Sequence, residues 1–128
     1  TLRPIKVEEN INFNIYNLTV IPISYQHAKL QVYGYRLNNF AYLTDLKTIE
    51  KSEIKKLKNL EVLVLNCIRI EPHYSHLNLE EALNLIKTIK PKKTYLTHIS
   101  HLLGFHNEIQ KKLPDSVYLS YDELTIEL

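Results

Sequence analysis

A mixed β-sheet with helices on one face, an α/β (α+β) arrangement, is the fold this sequence predicts. Three observations carry it. The first 45 residues alternate with a period of two, as the strands of an antiparallel meander do. Beyond them, stretches of helical period take turns with short apolar runs, the pattern of strands joined by crossover helices. Two glycines and five prolines among 128 residues leave no flexible linker, so residues 1–128 read as one domain.

Asn10–Ile15 puts Ile11, Phe13 and Ile15 on one face and predicts the first strand. Asn17 predicts a turn into a second strand, Leu18–Ile23, and Lys29–Leu37 a third. Asn38-Asn39 predicts a hairpin, because asparagine tolerates positive φ, with Phe40–Leu43 returning antiparallel. The period then changes. Ser52–Leu60 spaces Ile54, Leu57 and Leu60 as an amphipathic helix does, and Glu61–Asn66 reads as a strand covered on both faces. Asn78 is the expected N-cap of a helix over Leu79–Lys90, with Glu80 and Glu81 in its first turn and Pro91 stopping it. A strand over Thr94–Thr97, a helix over Leu102–Leu113 and closing strands at Val117–Leu119 and Leu124–Leu128 complete the expectation.

Composition excludes several classes. An apolar content of 45% rules out disorder, and no apolar run approaches the ~20 residues of a membrane span. One cysteine, Cys67, forbids an internal disulfide and points to a reducing, cytoplasmic compartment. A net charge of +2 gives no ground for a nucleic-acid partner, and the lysine-rich helices read as solvated faces. The sequence starts at Thr1 with no methionine and no leader, which is expected of a processed, cut or engineered product.

Six histidines, at 27, 73, 76, 98, 101 and 106, are the candidate chemistry. His98 follows directly on the apolar strand 94–97, where open α/β sheets hold their ligands. Asp45 ends the strand 40–44 in the same way, and His27 follows the strand 18–23 after a short turn. Imidazole nitrogen with carboxylate oxygen suits zinc, manganese or iron. His101 lies three residues from His98 and reads as a residue that supports a metal ligand from behind or packs at a helix start. A loop histidine near a metal suits general acid work or phosphate binding. Of the two in the 73–76 loop, His73 reads as a solvated residue, as does His106 on its helix, and Cys67 as a buried, inert thiol.

Thr44-Asp45, Ser75-His76-Leu77-Asn78-Leu79-Glu80-Glu81-Ala82-Leu83 and Leu96-Thr97-His98-Ile99-Ser100-His101 occur in an order and spacing that resembles the metallo-β-lactamase superfamily. Within it the chain is most similar to the phosphodiesterase branch, the phosphoribosyl 1,2-cyclic phosphodiesterases, and more distantly to tRNA-processing ribonucleases. Val20-Ile21-Pro22, His27-Ala28-Lys29-Leu30, Gly34-Tyr35-Arg36-Leu37 and Ser120-Tyr121-Asp122 extend the resemblance over roughly residues 5–128. It implies that His27, Asp45 and His98 are metal ligands, Asp45 bridging two ions of zinc or manganese. It further implies that His76 contacts the scissile phosphate and protonates the leaving oxygen, while His101 has a counterpart of unassigned role. The implied reaction is attack of a metal-held hydroxide on the phosphorus of a small phosphodiester.

One departure is large. The family's His-x-His-x-Asp-His loop, which supplies the remaining ligands, is absent from this sequence. What is present resembles the C-terminal half of an αββα sandwich, and where the family reads Asp-Gly this chain reads Asp122-Glu123. The implied partner is therefore a missing N-terminal half, or a second copy paired through an apolar sheet face. The chain alone is expected to be inactive and to hold one ion or none. Two rivals stand beside the fragment of a phosphodiesterase: a non-catalytic half-domain acting as a dimerisation or interaction module, and a self-contained domain whose strand-end histidines match by chance.

Overall fold

The computed structural model describes residues 2–128. Seven strands form one sheet in strictly sequential order. β1 (Phe13–Ile15), β2 (Leu18–His27), β3 (Leu30–Leu37) and β4 (Phe40–Leu43) are antiparallel neighbours. β5 (Val62–Asn66), β6 (Lys93–Thr97) and β7 (Val117–Leu119) then add in parallel. Each parallel step crosses in the same direction, so right-handed crossovers place every connecting helix on one face.

The register sorts the side chains. Leu43, Leu65, Leu96 and Leu119 stand in one row and Ala41, Leu63, Thr94 and Val117 in the next, all buried. α1 (Lys51–Ile54), α2 (Leu79–Ile89) and α3 (His106–Lys112) cover them with Ile54, Leu83, Ile86 and Ile109. Tyr35, Tyr42, Val64, Tyr95 and Tyr118 form a row on the opposite face. Of these Tyr42 is 43% and Tyr118 39% exposed, so this face remains partly open.

The best-marked element behaves as the sequence predicts. The Asn78 side chain accepts from Glu81 N and the Glu81 carboxylate accepts from Asn78 N, a complete capping box. At the other end Lys90 takes φ 56° and Pro91 follows. Asn38 supplies the positive φ of the β3–β4 hairpin at 51°.

Five expectations need correction. β1 is only the second half of the run 10–15, because Asn10 is already in a turn at φ 62°. β2 does not stop at Ile23 but pairs with β3 through His27, so no turn precedes that histidine. Pro22 fits within it because β1 pairs only as far as Val20. The helix expected at 52–60 ends after α1 and one 3₁₀ turn at Lys55–Leu57. There the Arg36 guanidinium donates to Lys56 O and Lys58 O, both at 2.7 Å, and so takes up the carbonyls at the helix end.

The helix expected at 102–113 is two pieces, a 3₁₀ turn at His101–Leu103 and α3. Gly104 breaks them with φ 118°, a conformation closed to other residues, and a Cβ there would crowd Ile109. Finally, Leu124–Leu128 joins no strand among the described residues. A turn closed by Leu124 N donating to Tyr121 O sends the chain back beside the outer face, where half-buried Leu124 and Ile126 line a cleft together with Tyr42 and Val64. Burial of that face wins over extension of the sheet edge. Glu123 sits in this turn at φ 66°, where the resembling family carries glycine. Glu123→Gly is expected to raise stability by up to about 1 kcal/mol in urea unfolding, since a side chain in this region is strained.

Gly34 positions the site. A Cβ there would lie 2.5 Å from the Leu43 side chain and 2.7 Å from Tyr42 O. The missing side chain is what lets the end of β4 close onto β3. Gly34→Ala should cost about 1–3 kcal/mol by urea unfolding, as overpacking does, and a stability unchanged from the parent would contradict this account.

Candidate metal centre at the strand ends

Four sequence-predicted residues converge at the C-terminal edge of the parallel strands. Ligand atoms of His27, Asp45 and His76 lie within 4.8 Å of one another. His98 Nε2 is 3.8 Å and His76 Nδ1 3.7 Å from the same oxygen, Asp45 Oδ1. The imidazoles are arranged as a row, with centroids 4.6 Å apart for His27–His76 and again for His76–His98.

Each residue is held by local chemistry. Asp45 follows β4 at φ 60°, and His98 follows β6 at φ 59°. Such conformations persist only where neighbours over-determine them. For Asp45 the neighbour is Asn66, fully buried at the end of β5. Its Oδ1 accepts from Leu46 N at 2.8 Å and its Nδ2 donates to Leu46 O at 3.0 Å. Tyr25 adds a hydrogen bond from its hydroxyl to Thr44 O at 2.7 Å. For His98, Cys67 N donates to Thr97 O, and Ser100 bonds Ile68 O through both its N–H and its hydroxyl.

His27 Nδ1 lies 3.1 Å from Asp45 O and 3.0 Å from Ser75 O. Both partners are carbonyls, so Nδ1 carries the proton and Nε2 keeps a free lone pair, the tautomer of a metal-ligating imidazole. His76 is buried and its Nδ1 has no hydrogen-bond partner. Burial, then the charges of His98 and His27, hold His76 below the ordinary histidine range even though Asp45 pulls the other way. A neutral imidazole results, able to accept a proton or a cation. An orphaned buried nitrogen beside a carboxylate and two further imidazoles is a donor set that fits a divalent ion.

The other candidates separate clearly. His101 opens the 3₁₀ turn after β6 and is exposed, with no hydrogen bond or ring contact to the four. His106 begins α3 and lies edge to face with Tyr121, ring centroids 6.4 Å apart. His73, expected as a solvated loop residue, instead continues the imidazole row 5.2 Å from His76. Its Nδ1 accepts from Ser75 N at 3.2 Å. The signal available in the sequence was its spacing, three residues from His76 in one short loop. Cys67 is buried, with its thiol pushed up to about 12 by desolvation. It is expected to stay unmodified by a thiol reagent such as dithiobis(nitrobenzoate) until the chain is unfolded; reaction at the native rate of a free thiol would contradict this.

Strand-end imidazoles and a carboxylate stand here on a mixed sheet with the fold of hydrolases. The chain belongs to the metallo-β-lactamase superfamily: the family described as beta-lactamase superfamily domain matches residues 1–99. A solved diphosphatase of the PhnP family is 33% identical, superposes with a TM-score of 0.90, and shares 94% of this chain and 47% of its own. Zn(2+)-bound PqqB from Methylobacterium extorquens, 12% identical with a TM-score of 0.75, shares the fold over 95% of this chain and 55% of its own. Among curated proteins, an octanoyltransferase of Porphyromonas gingivalis is 34% identical over 124 residues, 96% of this chain and 25% of that protein. The chain thus spans about half the length of that diphosphatase and a quarter of that octanoyltransferase. No helix is long and apolar enough to cross a membrane among the described residues.

Proposed function

We propose that this chain contributes part of the active site of a metal-dependent phosphodiesterase. His27, Asp45 and His98 bind a divalent ion, and His76 binds the scissile phosphate and protonates the leaving oxygen. The observation that carries this reading is the convergence of three histidines on Asp45, with the His76 nitrogen buried and unpartnered. The similarity to a diphosphatase supports phosphorus as the electrophile.

Zinc or manganese is the ion this donor set favours. When bound, such an ion polarises a phosphoryl oxygen and acidifies water. The chain's own residues do the rest. His27, oriented by two backbone carbonyls, presents Nε2 in a fixed direction. Asp45, turned inward by its left-handed backbone, places one oxygen between His76 and His98. His76, neutral at rest, would first take up a proton beside the Asp45 carboxylate and then pass it to the leaving oxygen.

Three ligands do not complete a two-ion centre. The remaining ones come from a complementary half carrying His-x-His-x-Asp-His, docked on the face that bears Tyr42, Tyr95 and Tyr118. The partly open aromatic row on that face supports this reading, and a second copy of the chain is the rival occupant. A single reduced cysteine supports the cytoplasm as the site of action.

The test is metal content of the purified chain together with hydrolysis of bis(p-nitrophenyl) phosphate under added zinc or manganese. Little turnover from the chain alone, and turnover restored by the complementary half, is the expected result. Full turnover without that half would overturn the divided site, and none with it would overturn the phosphodiesterase.

A further inference from the structure

The ring row continues past the metal-competent residues. Tyr74 is 80% exposed, yet its ring is stacked on His73 with centroids 4.8 Å apart and planes at 26°. His73 in turn stands 5.2 Å from His76. The tyrosine is therefore an aromatic plate with one face covered and one open, two ring spacings from the candidate acid.

The loop that holds this plate is stapled at several points. Arg69 donates from Nε to Glu71 O and from Nη2 to Pro72 O. Leu79 N donates to Arg69 O, and Asn78 Nδ2 to Ile70 O. Ser75 N, donating to His73 Nδ1, fixes the neutral ring's proton on Nε2. Loop carbonyls use two of the five N–H donors on the Arg69 guanidinium, whose charge acts on His73. A fixed stacking surface, a guanidinium and an imidazole N–H thus stand together beside the candidate reaction centre. Three of the Arg69 N–H donors and His73 Nε2 have no hydrogen-bond partner among the described residues.

We propose that residues 69–75 form a recognition subsite for a nucleoside diphosphate or its ester, Tyr74 stacking on the base while Arg69 and His73 hold the phosphate next to the scissile one. The assignment deepens the phosphodiesterase reading and rests on it for the position of the scissile group. Base–aromatic stacking tolerates any base, so the subsite selects a ring and two linked phosphates rather than one nucleotide. It gives the substrate its orientation from the side of the leaving group.

The test uses the metal-free chain titrated with ADP, inorganic pyrophosphate and adenosine, with tyrosine and histidine ring protons followed by NMR. ADP is expected to shift Tyr74 and His73 and to bind roughly ten-fold or more tightly than pyrophosphate. Tyr74→Ala should remove that advantage and leave pyrophosphate binding unchanged, Tyr74→Phe should retain it, and Arg69→Gln should weaken both phosphates. Equal affinity for ADP and pyrophosphate, or undiminished ADP binding by Tyr74→Ala, would overturn the subsite. Hydrolysis of bis(p-nitrophenyl) phosphate by the chain with its complementary half reads the metal site separately. ADP binding as expected with no such hydrolysis would sink the hydrolytic reading alone.

Discussion

Asp45→Asn is expected to abolish zinc binding by the chain and hydrolysis by the completed site. Asp45 Oδ1 is the atom on which His76 and His98 both converge, and it is the one anionic donor of the group. Removing an outer partner of a ligand already costs about 10–100-fold in metal affinity, so loss of the carboxylate charge itself should exceed that range. Thermal unfolding gives a direct reading. A ligand present at 100 times its Kd adds about 2.7 kcal/mol of stability, and the variant should show no zinc-dependent rise in Tm. The substitution is nearly isosteric, and the Thr44–Leu46 turn is held by Asn66 and Tyr25 rather than by the carboxylate. The metal-free Tm should therefore stay close to the parent's. A variant that still binds zinc like the parent would remove Asp45 from the ligand set.

His76→Ala and His98→Ala should separate chemistry from binding. A positioned general acid contributes about 10²–10⁴-fold, so His76→Ala should lower turnover by that factor while zinc affinity stays near the parent value. His98→Ala should lose zinc affinity first and turnover with it. The geometry makes this comparison sharp. The tightest three-residue grouping of donors contains His76, not His98, and both stand almost equally far from Asp45. If His76→Ala loses zinc as severely as His98→Ala, His76 is a ligand and the acid must be sought elsewhere.

Much of this was legible in the sequence because it is local. The capping box of α2 is written in Asn78 and Glu81, and the Asn38-Asn39 hairpin in two adjacent asparagines. Asp45 and His98 announce themselves by following apolar runs directly. The failures share a different cause, a partner distant in sequence. Arg36, on β3, ends the helix begun at residue 51, and no periodicity in 52–60 encodes that. Leu124–Leu128 has a strand's alternation, but a strand exists only with a neighbour, and the outer sheet face competes for Leu124 and Ile126. His73 was hidden for the reverse reason. Its exposed loop looks solvated, and only the fold brings its ring, stacked on Tyr74, to within 5.2 Å of His76.

The strand order has a bearing on how the chain comes to be. Because every strand lies beside the one that precedes it in sequence, no segment must wait for a later one before finding its neighbour. The sheet can lengthen strand by strand as the polypeptide leaves the ribosome, with a tight turn between antiparallel neighbours and a single crossover before each parallel strand. His27 and Asp45 would already be in place within the nascent sheet before His98 is synthesised. The histidine after β6 then arrives last, so assembly of the four-residue cluster becomes a late event in biogenesis.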